Sequence, residues 1–144
     1  MLISDVLREK GHEVTRIGAT EKVRAAVQKL AERRIGALVV ESEWLKLVGI
    51  FSERDLLKAI ANAGLDVLDR EVRELMTAPI VTCRSTDRVD AALGLMTLRK
   101  IRHLPVVDDG ELQGIVSIGD LVKFRLDEKE LEANVLLEIS RMRR

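Results

Sequence analysis

Two serine–aspartate pairs, Ser52-x-x-Asp55 and Ser117-x-x-Asp120, carry the side chains of this sequence best suited to chemistry. A carboxylate accepts two hydrogen bonds from vicinal hydroxyls, as the ribose-reading acid of dinucleotide folds does. A helix start beside it offers free backbone amides to an anion. The same spacing is also close to a capping box, in which serine caps the helix and the acid returns to the serine amide. Each pair follows a glycine at the same offset, Gly49 and Gly114. A position without a Cβ permits close approach of another group, which favours a ligand over capping alone.

A basic pair, Arg102-His103, precedes Leu104-Pro105-Val106-Val107. The forked donors of Arg102 suit a phosphate, with His103 adding a donor; a solvated basic pair is the alternative. At the equivalent place in the first half stand Gly36-Ala37, which carry no charge, whereas Arg54 is basic where the second half has Gly119. The two halves are therefore chemically unequal.

Catalysis finds little support. His12, in the polar Lys10-Gly11-His12-Glu13 stretch, and His103 are the only histidines, and with Cys83 they form no metal-ligand spacing. Cys83 adjoins Arg84 but reads as a half-buried structural thiol. No phosphate-loop or dinucleotide glycine string is present. The sequence assigns no catalytic residue and no metal, and does not call for an enzyme.

These residues are positioned by a duplicated unit. Thr20-Glu21-Lys22-Val23-Arg24-Ala25-Ala26 matches Thr86-Asp87-Arg88-Val89-Asp90-Ala91-Ala92, and Arg33-Arg34-Ile35 matches Arg99-Lys100-Ile101, at one offset. After one extra residue in the first copy, Gly49 to Asp55 falls on Gly114 to Asp120. Val23, Ala26, Val27 and Leu30, and likewise Val89, Ala92, Leu93 and Met96, recur at the spacing of an amphipathic helix. Thr20 and Thr86 are placed as N-caps, each followed by an acid that suits the helix dipole. Strands are expected over 36–40, 45–51, 103–107 and 112–116, with Asp109-Gly110 as a hairpin turn. Second helices follow over about 53–63, stopped near Gly64, and about 118–126. Short lead-in strands are expected at 12–17 and 80–83. The segment 127–144 reads as a further amphipathic helix, with Leu131, Val135 and Ile139 spaced by four and Leu136 beside them. It either covers the protein's own apolar surface or forms a dimer contact.

Composition bounds the class. The chain has 144 residues, 24 Lys+Arg against 24 Asp+Glu, and 47% hydrophobic residues, a globular balance. Zero formal charge and 2% aromatic residues argue against nucleic-acid binding, which needs a basic excess or stacking platforms. No apolar run approaches a membrane span, and the first ten residues fit no signal peptide. One cysteine cannot build a disulfide framework, and it points to a reducing, cytoplasmic location.

The duplicated unit resembles the CBS domain, named for cystathionine β-synthase, and the tandem looks like the Bateman module. The resemblance covers about residues 1–126 and rests on Gly-hydrophobic-x-Ser-x-x-Asp twice, on IGALVV (35–40) and IRHLPVV (101–107), and on VRELM (72–76) echoed by ISDVL (3–7). It implies an α/β fold of two βαββα repeats, 1–68 and 69–126, packed through their sheets, with a C-terminal helix over 127–144. It also implies adenosine ligands (AMP, ADP or ATP, and in some members S-adenosylmethionine or NAD(H)) in clefts between the two units, with no prosthetic group. By the same resemblance, Asp55 and Asp120, aided by Ser52 and Ser117, hold ribose hydroxyls. Thr15, Ile35, Gly36, Ala37, Val81, Ile101 and Ile115 would surround adenine, and Arg54, Arg102 and His103 would meet phosphate. Gly36 and Ala37 depart from the family's basic pattern. The resulting expectation is a non-catalytic, homodimeric adenine-nucleotide sensor acting on a separate regulated protein. A structural scaffold without ligand is the rival from another class.

Overall fold

The two amphipathic helices expected from apolar spacing around 23–30 and 89–96 are present, and turn chemistry sets their ends. The computed structural model describes residues 1–142. Along the chain run α1 (Ile3–Lys10), β1 (Arg16–Gly18), α2 (Val23–Arg33), β2 (Ala37–Glu41), β3 (Leu47–Ser52) and α3 (Glu53–Ala63). A 3-10 turn over Gly64–Asp69 leads to α4 (Val72–Leu75), α5 (Val89–Arg99), β4 (His103–Asp108), β5 (Glu111–Ser117) and α6 (Ile118–Met142).

The chain forms two compact units. One is Glu13–Val81; the other joins Met1–His12 to the chain from Thr82 onward. The sequence repeats and the compact units therefore divide the chain differently. Each lead-in helix packs with the unit of the other copy. Backbone bonds show it directly: Ile3 N donates to Asp87 O and Val89 N to Met1 O, while Val72 N donates to Glu21 O and Val23 N to Arg70 O. ISDVL and VRELM are thus equivalent pieces, each closing the start of a long helix.

In the Glu13–Val81 unit, β1 runs parallel to β2 and β2 antiparallel to β3, with Ala37 opposite Ser52 and Val39 opposite Ile50. The buried face of α2 (Val23, Ala26, Leu30) covers Ile17, Leu38, Val40 and Phe51, and Val72 of α4 joins the same core. The other unit has β4 antiparallel to β5, with His103 opposite Ser117. Val89, Ala92 and Met96 of α5 are buried there, as are Ile3, Val6 and Leu7 of α1. Asp109 and Gly110 have φ of 49° and 80°, the two positive values that a tight hairpin turn of this hand demands.

Four expectations change. Thr20 and Thr86 do not cap their helices, which begin at Val23 and Val89 behind extended Lys22 and Arg88. The preceding acids close turns instead: Glu21 accepts from Gly18 N at 2.6 Å, and Asp87 from Arg84 N at 2.8 Å. Both α2 and α5 end on a basic residue in the left-handed region, Arg34 (φ 54°) and Lys100 (φ 56°), where a cation suits the negative end of the helix dipole. Of the lead-in strands, β1 is short, and Cys83 contributes only a single parallel bridge to Val106. Finally, α6 is one continuous helix of 25 residues rather than two, and the last two residues of the helix expected over 127–144 lie outside the described residues. Past Gly119 it meets neither glycine nor proline, so nothing interrupts its backbone hydrogen bonds.

Candidate functional site

Both Ser-x-x-Asp pairs lie where a strand runs straight into a helix, β3 into α3 and β5 into α6. In the first, Asp55 N donates to Ser52 Oγ at 3.3 Å, and Ser52 N donates to Asp55 Oδ2 at 2.9 Å. In the second, Asp120 N donates to Ser117 Oγ at 3.1 Å and Ser117 N to Asp120 Oδ2 at 2.9 Å. Each pair therefore closes a capping box. Both carboxylates are locked in rotamer and partly buried, held at the sheet end that the helix N-terminus faces.

What meets each carboxylate next differs between the units. Thr77 follows α4 and pairs with Ile50 of β3, its amide donating to Ile50 O at 2.8 Å. From there its hydroxyl donates to Asp55 Oδ1 at 2.8 Å. In the other unit α1 runs on to Lys10, whose ammonium lies 2.5 Å from Asp120 Oδ2 and 2.6 Å from Ile115 O. Burial pushes the Asp120 carboxyl up, but hydrogen bonds from Lys10 and the Ser117 amide, with the Lys10 charge, outweigh it. The net result is an acid held below the usual carboxylate range.

Neither Thr77 nor Lys10 stands out in the sequence. The signal for Thr77 is its place just after VRELM; for Lys10, a cation in the last turn of the helix that ISDVL begins. The glycines have a reason that the sequence could not supply. A Cβ on Gly49 would come within 2.7 Å of Met76 Sδ and 2.9 Å of Thr77 O, and one on Gly114 within 2.8 Å of a Leu7 methyl. The group that approaches each glycine is the protein's own lead-in segment.

Several of the expected residues belong to the unit of Asp55. Gly36 O accepts from Glu53 N at 3.0 Å, Ala37 is opposite Ser52, and Thr15 O accepts from Val39 N at the start of β1. Ile35 follows the left-handed end of α2, and exposed Arg54 sits in the first turn of α3. The other unit repeats the plan. Arg102 O accepts from Ile118 N at 2.9 Å, His103 is opposite Ser117, and Ile101 follows the left-handed end of α5. Ile115 is the residue whose carbonyl holds Lys10. Arg102 is exposed. Val81 ends the Glu13–Val81 unit, in the segment after Thr77, with no described strand partner. Cys83 is buried, and desolvation, reinforced by Asp87 and Asp108, pushes its thiol up to about 12, so it is protonated at neutral pH.

A family profile described as CBS domain matches residues 3–62 and again 72–127. The mitochondrial CBS domain-containing protein CBSX3 of Arabidopsis thaliana is 35% identical over 138 residues, 90% of this chain and 67% of that protein. An uncharacterized 33.4 kDa protein of Thermofilum pendens is 38% identical over 102 residues, 71% of this chain but 33% of its own length. The chain thus spans between a third and two thirds of these two curated relatives. Among solved structures, the CBS-domain containing protein ATU1752 of Agrobacterium tumefaciens is 39% identical with a TM-score of 0.83, covering 86% of this chain and 92% of that one. The CBS domain protein PAE2072 of Pyrobaculum aerophilum, complexed with AMP, is 32% identical with a TM-score of 0.74, covering 83% and 89%. The CBS domain pair of protein MJ0100, in complex with 5′-methylthioadenosine and S-adenosyl-L-methionine, is 26% identical with a TM-score of 0.77, covering 89% and 98%.

Proposed function

Because the chain belongs to the CBS domain family and carries that domain as a tandem pair, we propose that it is a non-catalytic regulatory module that binds adenine nucleotides. In this reading Asp55 and Asp120 hold ribose hydroxyls, and Arg54, Arg102 and His103 meet phosphates. The observation that carries the reading is the rigid carboxylate at each strand-to-helix junction, fixed by a capping box and set beside helix amides. A preorganised acceptor costs a diol little ordering entropy on binding. The AMP complex of PAE2072 supports the ligand class. S-adenosylmethionine, favoured by the MJ0100 complex, or NAD(H) is the second reading, since either shares the ribose.

Regulation follows from linkage. A ligand shifts the module between states only as far as its affinity differs between them, and a separate regulated protein reads that shift. In this reading the protein acts as a homodimer in the cytoplasm. Among the described residues no helix is long and apolar enough to cross a membrane.

Calorimetry with AMP, ADP and ATP tests the reading. Replacing a carboxylate that accepts a hydroxyl proton costs about 1.5–3 kcal/mol per charged hydrogen bond, hence at least about tenfold in affinity. Asp55→Asn with Asp120→Asn should abolish measurable binding at concentrations that saturate the unaltered chain. Unchanged binding in the double variant refutes the ribose assignment, and no binding of any adenosine compound to the unaltered chain refutes the sensor.

A further inference from the structure

The two carboxylates are built alike by their capping boxes, yet their third partners are chemically opposite. Asp55 faces a neutral hydroxyl, that of Thr77. A hydroxyl both donates and accepts and rotates freely, so it can turn to accommodate an incoming diol. Asp120 faces an ammonium, which has three donors and no acceptor and carries a full charge. Lys10 is shared between the Asp120 carboxylate and the Ile115 carbonyl, with its side chain only one third exposed (33%). A diol that takes over the Asp120 carboxylate must displace this ammonium from its counter-ion, in a place where water only partly replaces the lost partner. A ligand with an anionic group near its diol supplies that partner itself, because the flexible four-carbon stem lets Lys10 swing from carboxylate to anion without a change in α1.

We propose that Lys10 sets ligand preference at Asp120, making this site selective for adenosine compounds that bear an anionic group close to the ribose, whereas the Asp55 site admits the uncharged nucleoside. The inference rests on the ribose reading of the two aspartates given above. It makes Lys10 a specificity residue that acts through its exchange of partners. It also places a phosphate-sensing cation in the unit of Arg102 and His103, carried by the lead-in helix of the other sequence copy.

The test is made in the full chain carrying Asp55→Asn, so that only the Asp120 site reports. Calorimetric titrations with AMP and with adenosine are compared for Lys10, Lys10→Met and Lys10→Arg. With Lys10 present, AMP should bind at least about tenfold more tightly than adenosine, the worth of one charged hydrogen bond. In Lys10→Met adenosine should gain affinity, AMP should lose it, and their ratio should fall to about threefold or less. Lys10→Arg should keep the preference. A melting temperature within a few degrees of the parent, expected for a side chain on the rim of the fold, shows that Lys10→Met is folded; if it is not, the comparison of Lys10 with Lys10→Arg decides the same point. An unaltered AMP-to-adenosine ratio in Lys10→Met, or loss of the preference in Lys10→Arg, overturns the role of Lys10 while leaving the nucleotide reading intact. Failure of both ligands to bind the chain with all three residues native overturns the nucleotide reading and this inference with it.

Discussion

At the scale of single residues, the decisive contrast is between two aspartates in the same Gly-Ile-x-Ser-x-x-Asp frame with different neighbours in space. Asp120 carries the measurable consequence. Its burial raises the carboxyl, and the Lys10 and Ser117 hydrogen bonds and the Lys10 charge bring it below its ordinary value. A carboxylate depressed in the folded state adds stability that is fully present above its unfolded value, about 3.9, and is lost as pH falls through the folded value. Carbon NMR of the Asp120 carboxyl should therefore give a midpoint below that of an unstructured aspartate. Lys10→Met should move that midpoint up and start acid unfolding at a higher pH, because burial is then opposed by the Ser117 bonds alone. A midpoint that ignores the substitution would mean that the ammonium does not reach the carboxylate in solution.

At the scale of elements, the lead-in helices decide how each carboxylate is completed. α4 is a single turn, so the chain leaves it extended, and Thr77 pairs with β3. α1 is eight residues long, so the chain is still helical where Thr77 has its counterpart, and the cation of the last turn arrives instead. Leu7 of α1 presses on Gly114, and Met76 and Thr77, just past α4, press on Gly49. At Gly49 an added methyl meets the Thr77 carbonyl, which is backbone, whereas at Gly114 it meets only the end of the Leu7 side chain. Gly49→Ala should cost about 1–3 kcal/mol in denaturant unfolding, in the range of overpacked cores, and Gly114→Ala clearly less. Gly49→Ala should also weaken ligand binding at Asp55, since Thr77 must shift. The reverse order of stabilities would show that Leu7 is the more rigid neighbour.

At the scale of the whole molecule, the apolar surface that the chain leaves uncovered argues for self-association. Beyond Leu126 the described part of α6 buries no residue, and Leu131, Leu136 and Leu137 are 64%, 67% and 56% exposed. Contiguous apolar surface of this kind marks interaction sites on soluble proteins. Light scattering at micromolar concentration should return the mass of a dimer, and the combined Leu131→Glu, Val135→Glu and Ile139→Glu variant should return that of a monomer with its helix content retained. A monomer from the unaltered chain would remove the dimer and leave α6 to a different partner.

Much of this organisation was legible in the sequence, because it depends on order along the chain. The duplication, the core faces of α2 and α5, the Asp109-Gly110 turn and the strand-to-helix placing of both Ser-x-x-Asp pairs all follow from spacing, and spacing is local. Three things were not legible. Thr20 and Thr86 looked like caps, yet α2 and α5 start later, because extended Lys22 and Arg88 pair with Glu71 and Leu2, residues far away in sequence. Gly49 and Gly114 announced a close approach without saying that Met76, Thr77 and Leu7 make it. The partners of the carboxylates, Thr77 and Lys10, stand 22 and 110 residues from them. Hydrophobic periodicity states which face of a helix is buried, not which sheet buries it, and here each lead-in helix closes the unit of the other copy. The sequence by itself determined two equivalent acids; only the tertiary structure decided that one faces a hydroxyl and the other a cation.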